Sequence, residues 1–134
     1  MLEGLALGLV LLGLGAIIVF LRRRQGQRAQ QAGQALLLAT EGGNLAEMQA
    51  FLRRGAEINA RNAQGWTPLH VAAAGGDPAV VALLLQHGAD VQAQSYIGTT
   101  PLDTALSRGG KKAVTDLLRA HGAQATSPWD DTIL

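Results

Sequence analysis

The feature that most constrains this chain is a sequence pattern that returns every 33 residues. The letters TPL at 67–69 recur at 100–102, and Gly43, Gly76 and Gly109 are separated by the same interval. A period of this length is typical of proteins built from stacked copies of one small unit, none of which buries its apolar face alone. We therefore expect a linear stack of similar units.

Each unit is predicted to contain two short helices and an extended, hairpin-like loop. In the central unit, Thr67 is a favourable N-cap, and Pro68 suits the first helical position because its missing N–H has no intrahelical partner. Asp77 and Pro78 repeat this arrangement for a second helix, whose apolar residues at 81, 84 and 85 lie on one face. In the third unit the glycine that ends the second helix comes one residue late, at Gly122, which predicts a slightly longer last helix.

The central unit, "GWTPLHVAAAGGDPAVVALLLQHGADVQAQ", resembles an ankyrin repeat. The resemblance covers residues 34–124, divided into a capping repeat at 34–64 and further repeats at 65–97 and 98–124. It implies an all-α fold, an ankyrin-repeat solenoid of helix-turn-helix units with hairpin-like loops. The third copy departs from the family pattern by having Asp103 where the second has His70. The resemblance implies that His70 hydrogen-bonds to a neighbouring loop.

Before the repeats, a three-residue tail (1–3) leads into an uncharged apolar segment at 4–21. At about 1.5 Å per residue this segment spans roughly 27 Å, close to the ~30 Å of a bilayer core. A transmembrane helix is therefore predicted. A cleaved signal peptide and a buried helix of a soluble protein are the alternatives. A signal peptide requires positive charge before the apolar segment, whereas here the arginines follow it.

The basic, polar linker at 22–33 predicts the orientation of this helix, since it contains Arg22, Arg23, Arg24 and Arg28. Basic residues beside a span stay on the cytoplasmic side, so the repeats should be cytoplasmic. Frequent Ala, Gly and Arg with little Lys is typical of a GC-rich bacterial genome, which favours a bacterial inner membrane. The alternative is an exported or periplasmic ankyrin-repeat protein with a structural or protective role.

Gly4, Gly8 and Gly15 share one face of the predicted span. A smooth glycine face lets two membrane helices approach closely, so this face predicts a homodimer. Glycine is also common in membrane helices generally, which is the simpler interpretation.

Catalytic and metal-binding patterns are missing from the sequence. There is no cysteine, and His70, His87 and His121 occupy repeat positions without a nucleophile and an orienting acid beside them in the sequence. No spacing of histidine and acidic residues resembles a metal site. From residue 34 onward, seven basic side chains face nine acidic ones, which argues against nucleic-acid binding. We expect no enzymatic activity and no cofactor.

The resemblance instead implies a protein-binding surface formed by loop tips and first helices. Trp66, Tyr96 and Arg61 are residue types that dominate the binding energy of interfaces, and Ile97 is expected to be exposed. In the C-terminal tail at 125–134, Trp129 is expected to fold back over the last repeat. The predicted function is that of a membrane-anchored adaptor for protein–protein interaction. The predicted binding residues are Arg61, Gln64, Trp66, Gln94, Tyr96, Ile97, Thr99 and Arg108.

Overall fold

A computed structural model describes residues 2–124 and 126, with side chains described from residue 12 onward. The described chain contains six helices and no strand. The helices are α1 (Leu2–Gly42), α2 (Leu45–Arg53), α3 (Pro68–Gly75), α4 (Pro78–Gln86), α5 (Pro101–Ser107) and α6 (Lys112–Ala120). The all-α prediction is therefore confirmed.

The helices pair as α1 with α2, α3 with α4, and α5 with α6, and the pairs stack. Within the stack, α3 packs on both α1 and α5, and α4 packs on α6. Each helix contributes one large side chain that is completely buried in a single continuous core, because every unit covers the apolar face of its neighbour. These side chains are Leu36, Met48, Leu69, Leu84, Leu102 and Leu118.

Short polar side chains start the helices where the sequence predicts them. Asn44 Oδ1 accepts a hydrogen bond from the backbone N–H of Glu47 at 3.2 Å, and Asp77 Oδ1 accepts one from Ala79 at 2.9 Å. At the start of α5 the arrangement is reciprocal, since Thr100 and the residue three positions later cap each other's backbone N–H. These bonds satisfy donors that the first helical turn leaves without partners.

The prediction of a longer last helix is wrong. Both α4 and α6 contain nine residues, and Leu118 takes the place in the core that Leu84 has one repeat earlier. The additional residue lies in the turn between α5 and α6, where Gly109 and Gly110 both have positive φ. Two successive glycines absorb it because neither incurs the steric cost of a Cβ in this conformation.

The predicted span, the predicted linker and the first helix of the capping repeat form one continuous helix, α1, of 41 residues. At ~1.5 Å per residue it is about 60 Å long. Its side chains are exposed from residue 12 to residue 28, and contact with the repeats begins near Gly33. A Cβ added at Gly33 would lie only 2.6 Å from the Cβ of Ala60, so α1 and the first loop approach closely.

Within the part of the chain that the structure describes, no helix is both long and apolar enough to cross a bilayer. The predicted anchor at 4–21 begins among residues whose side chains lie outside the described set, as do Gly4 and Gly8. A Cβ added at Gly15 would meet no atom of the chain within 4 Å. The anchor and its glycine face remain predictions.

Candidate interaction surface

Two loops connect the repeats, at 56–66 and 89–99, and each is closed by a turn near its tip. In the first, Asn62 Oδ1 accepts hydrogen bonds from the backbone N–H groups of Gln64 and Trp66 at 3.0 and 2.9 Å. In the second, Ser95 Oγ accepts one from the N–H of Thr99 at 3.2 Å, and the Ser95 N–H donates to the Thr99 carbonyl at 2.9 Å. The tips are therefore held by local bonds.

Arg61 joins the two loops, so part of its bonding capacity serves the fold. Its Nη1 donates to the carbonyl oxygen of Gln94 in the second loop at 2.5 Å and to that of Gly65 at 3.2 Å. The backbone N–H of Tyr96 also donates to the carbonyl of Gln64 at 3.2 Å. Three predicted binding residues, Arg61, Gln64 and Gln94, thus hold the loops in register through guanidinium or backbone atoms. Their side chains are exposed.

His70 links the second repeat to the third, as predicted. Its Nδ1 accepts a hydrogen bond from the backbone N–H of Thr67 at 3.1 Å, so the ring proton is on Nε2, which donates to the Thr99 carbonyl oxygen at 2.8 Å. Burial lowers the pKa of His70, the hydrogen bond to Thr99 opposes this change, and the Arg61 charge adds to the lowering. The neutral ring is therefore favoured in the fold.

Trp66 is half-buried and has a structural role beside any role in binding. Its ring stacks on that of His70, with centroids 6.1 Å apart and an angle of 22° between the planes. It also packs against Leu37, Ala60 and Val71, a small apolar cluster between the capping repeat and the second repeat. Trp66 therefore offers only the remaining part of its surface to a partner.

A groove of about 390 Å³ lies beside Trp66, between the second loop and α5. We call it the Trp66–Arg108 groove, and its lining residues are Trp66, Ile97, Gly98, Thr99, Asp103, Thr104, Ser107, Arg108 and Thr126. It brings together four predicted binding residues, at positions 66, 97, 99 and 108. Ile97, at 86% exposure, lies on its wall, and the neighbouring Tyr96 is 71% exposed.

Sequence reasoning missed the role of Asp103 in this groove. One carboxylate oxygen accepts a hydrogen bond from the backbone N–H of Thr126 at 2.9 Å, and the other accepts from the hydroxyl of Thr126 and from the N–H of Thr100. The 33-residue offset from His70 was the signal that could have found it, because both residues cap a helix and also bind a segment further along the chain.

Further grooves adjoin α1. One of them also borders Trp66 and is lined by Glu41, Asn62, Gln64, Trp66, Val71 and Ala74. Another, of about 670 Å³, is lined by Gln27, Gln30, Gln31, Gln34, Glu57, Asn59, Ala60 and Arg61. Gln34 Nε2 closes its end by donating to the carbonyl of Arg61 at 3.0 Å. The helical spacing of the four glutamines could have indicated this polar face, but it was not recognised in the sequence.

The described residues hold no group of three or more histidine and acidic side chains close enough to bind a metal ion. His87 and His121 are the C-caps of α4 and α6, and His121 Nδ1 lies 2.9 Å from the Leu117 carbonyl oxygen. These two histidines therefore lie at equivalent places in two repeats, outside the Trp66–Arg108 groove.

Comparison with known proteins agrees with this architecture. A family model described as ankyrin repeats (three copies) matches residues 18–95 and 36–128. A search of curated proteins found no match. Ankyrin repeats are generally interaction modules without enzymatic activity. The chain therefore belongs to the ankyrin-repeat family, whose stacked repeats imply a module for protein–protein interaction.

Proposed function

We propose that this protein is an adaptor, anchored in a membrane through residues 4–21, that binds a partner protein through the Trp66–Arg108 groove. The observation that carries the binding proposal is the exposure of Ile97 beside the half-buried Trp66 and the exposed Arg108. Trp66 and Arg108 are of the side-chain types that contribute most to binding energy, and Ile97 adds apolar surface for a partner to cover. The polar side chains of Thr104 and Ser107 complete the wall.

The exposed apolar side chains of α1 support the anchor. Leu12, Ile17, Val19 and Phe20 are each at least half exposed, and the repeats do not cover them. Leaving such surface in water costs about 25 cal/mol for each Å². Insertion of the uncharged segment at 4–21 into a bilayer would remove this cost, with the arginines that follow it at the cytoplasmic surface. Anchoring would also raise the effective concentration of the repeats near membrane partners.

The binding proposal is tested by Ile97→Glu in the full chain, with cross-linking and recovery of bound proteins from membranes. Ile97 is almost fully exposed, so the fold should tolerate this change while the groove loses its apolar contact. Leu38→Glu is the matched control, because Leu38 is 69% exposed on α1 and does not line the groove. Loss of the same protein with Ile97→Glu alone supports the proposal, whereas unchanged recovery with both variants contradicts it.

The orientation is tested with a topology reporter fused after Leu134. Reporter activity in the cytoplasm supports the proposed orientation. Activity on the opposite side would contradict it and favour the exported ankyrin-repeat protein.

We also propose that two copies of the chain associate through the glycine face at Gly4, Gly8 and Gly15. The variant Gly8→Ile tests this homodimer in a reporter assay of association within the membrane. Reduced association is expected, and unchanged association contradicts the dimer.

A further inference from the structure

The last described residue before the C-terminal segment lies in the groove itself. Thr126 lines the Trp66–Arg108 groove, and both its backbone N–H and its hydroxyl donate to the Asp103 carboxylate. Two bonds hold Thr126 in the groove, and residues 127–134 follow it in the sequence. Eight residues at ~3.3 Å each reach as far as about 26 Å.

The chemistry of this segment complements that of the groove. Trp129, three residues after Thr126, reaches as far as about 10 Å along the chain, and Ile97 offers an apolar wall that is otherwise open to water. Asp130 and Asp131 follow directly, and the exposed guanidinium of Arg108 lies on the same groove. The one acidic side chain of the groove, Asp103, is already engaged by Thr126 and Thr100.

We infer that residues 127–134 bind in the Trp66–Arg108 groove of their own chain, with Trp129 against Ile97 and the two aspartates beside Arg108. The segment is then an intramolecular competitor that any partner must displace. Its tether to Thr126 gives it an effective concentration in the millimolar range, so weak contacts suffice to keep the groove covered. This inference shares the groove with the proposed function, but it needs no partner protein.

The natural chain has no cysteine, so pairs of introduced cysteines report this contact directly. The test pair is Ser107→Cys with Thr132→Cys, and the control pair is His121→Cys with Thr132→Cys, in the full chain purified in detergent. Ser107 and His121 are both exposed, and His121 is nearer to Thr132 along the chain. Because Thr126 is held on the same groove as Ser107, the tether alone favours the test pair over the control pair. The deciding comparison is therefore between the test pair with and without Trp129→Ala.

Disulfide formation in the test pair at least tenfold faster than in the control pair is the expected result. Equal or slower formation overturns the inference. Adding Trp129→Ala to the test pair should slow its disulfide formation at least tenfold, and an unchanged rate overturns the inference. Circular dichroism verifies that each variant keeps its helices. Because no partner is present, failure here leaves partner binding open, whereas loss of partner binding with intact trapping contradicts only the adaptor proposal.

Discussion

The buried ring of His70 donates from Nε2 to the carbonyl oxygen of Thr99 at 2.8 Å, and this bond joins the second repeat to the loop before the third. Because Nδ1 accepts a bond from Thr67, protonation of the ring would place a donor against a donor. The neutral imidazole is therefore part of the interface between repeats.

This bond predicts that acid destabilises the repeats. The pKa of His70 is lowered from 6.5 in the fold, so below pH 6.5 the unfolded chain binds more protons than the folded one. The free energy of unfolding should be constant above pH 7 and should fall as the pH drops through 6.5 towards 5. Urea unfolding of the full chain in detergent, followed by circular dichroism, measures it.

His70→Gln should be less stable than the natural chain at pH 7.5 and should lose most of this pH dependence. His87→Gln and His121→Gln are controls, because both side chains are exposed. A pH dependence that His70→Gln leaves intact would show that other groups cause it.

The close approach of α1 to the first loop at Gly33 predicts that any side chain at this position lowers the stability of the fold. Gly33→Ala and Gly26→Ala gain the same helix propensity of about 1 kcal/mol. Only Gly33→Ala places its Cβ 2.6 Å from that of Ala60, whereas a Cβ at Gly26 meets nothing within 4 Å. Gly33→Ala should therefore be less stable than Gly26→Ala by about 1–3 kcal/mol in urea unfolding. Equal stability of the two variants would contradict the close approach.

Gly65 and Gly98 occupy equivalent positions in successive repeats, and both have positive φ, at 78° and 84°. Alanine at either position incurs the cost of a left-handed conformation, about 1–2 kcal/mol. At Gly65 its Cβ would also lie 2.7 Å from Cδ1 of Tyr96, while at Gly98 it meets nothing within 4 Å. Gly65→Ala should lower the free energy of unfolding by at least 1 kcal/mol more than Gly98→Ala does. The prediction fails if thermal and urea unfolding rank them in the reverse order.

Substituting Asp103 should lower the free energy of unfolding more than substituting its partner Thr126. Asp103→Ala removes the cap on the N–H of Thr100, which is buried, and should cost about 2 kcal/mol. Thr126→Ala removes only the hydrogen bond that the hydroxyl of the exposed Thr126 donates to Asp103, and it should cost about 1 kcal/mol or less. Urea unfolding of both variants tests the ranking, and a greater loss with Thr126→Ala would show that the cap of α5 matters less than this bond.

Local signals in the sequence were sufficient for most of the fold. The helix starts at Thr67, Asp77 and Thr100 follow from short polar side chains and the prolines that come next, and these effects act within one turn. The position of the additional residue was not predictable in this way. The packing of Leu118 on the preceding repeat, together with two adjacent glycines, places it in the turn before α6.

For the candidate site, the sequence identified side chains but not their neighbours. Trp66, Ile97, Thr99 and Arg108 were expected on one surface, and they line one groove. The sequence did not reveal that the Arg61 guanidinium donates hydrogen bonds to the carbonyl oxygens of Gly65 and Gln94. A bond between two loops depends on how the two units stack.

The sequence by itself determined that the chain is a stack of two-helix units, since a 33-residue period with repeated caps and apolar positions leaves each unit incomplete without its neighbours. Only the tertiary structure decided that α1 continues without a break from the apolar segment into the first repeat, and that Thr126 returns to Asp103 in the groove. The physical reason is the distance along the chain over which each signal acts. A helix cap acts within one turn, whereas the bond between Thr126 and Asp103 joins segments 23 residues apart and α1 meets the first loop only near Gly33, well after the apolar segment.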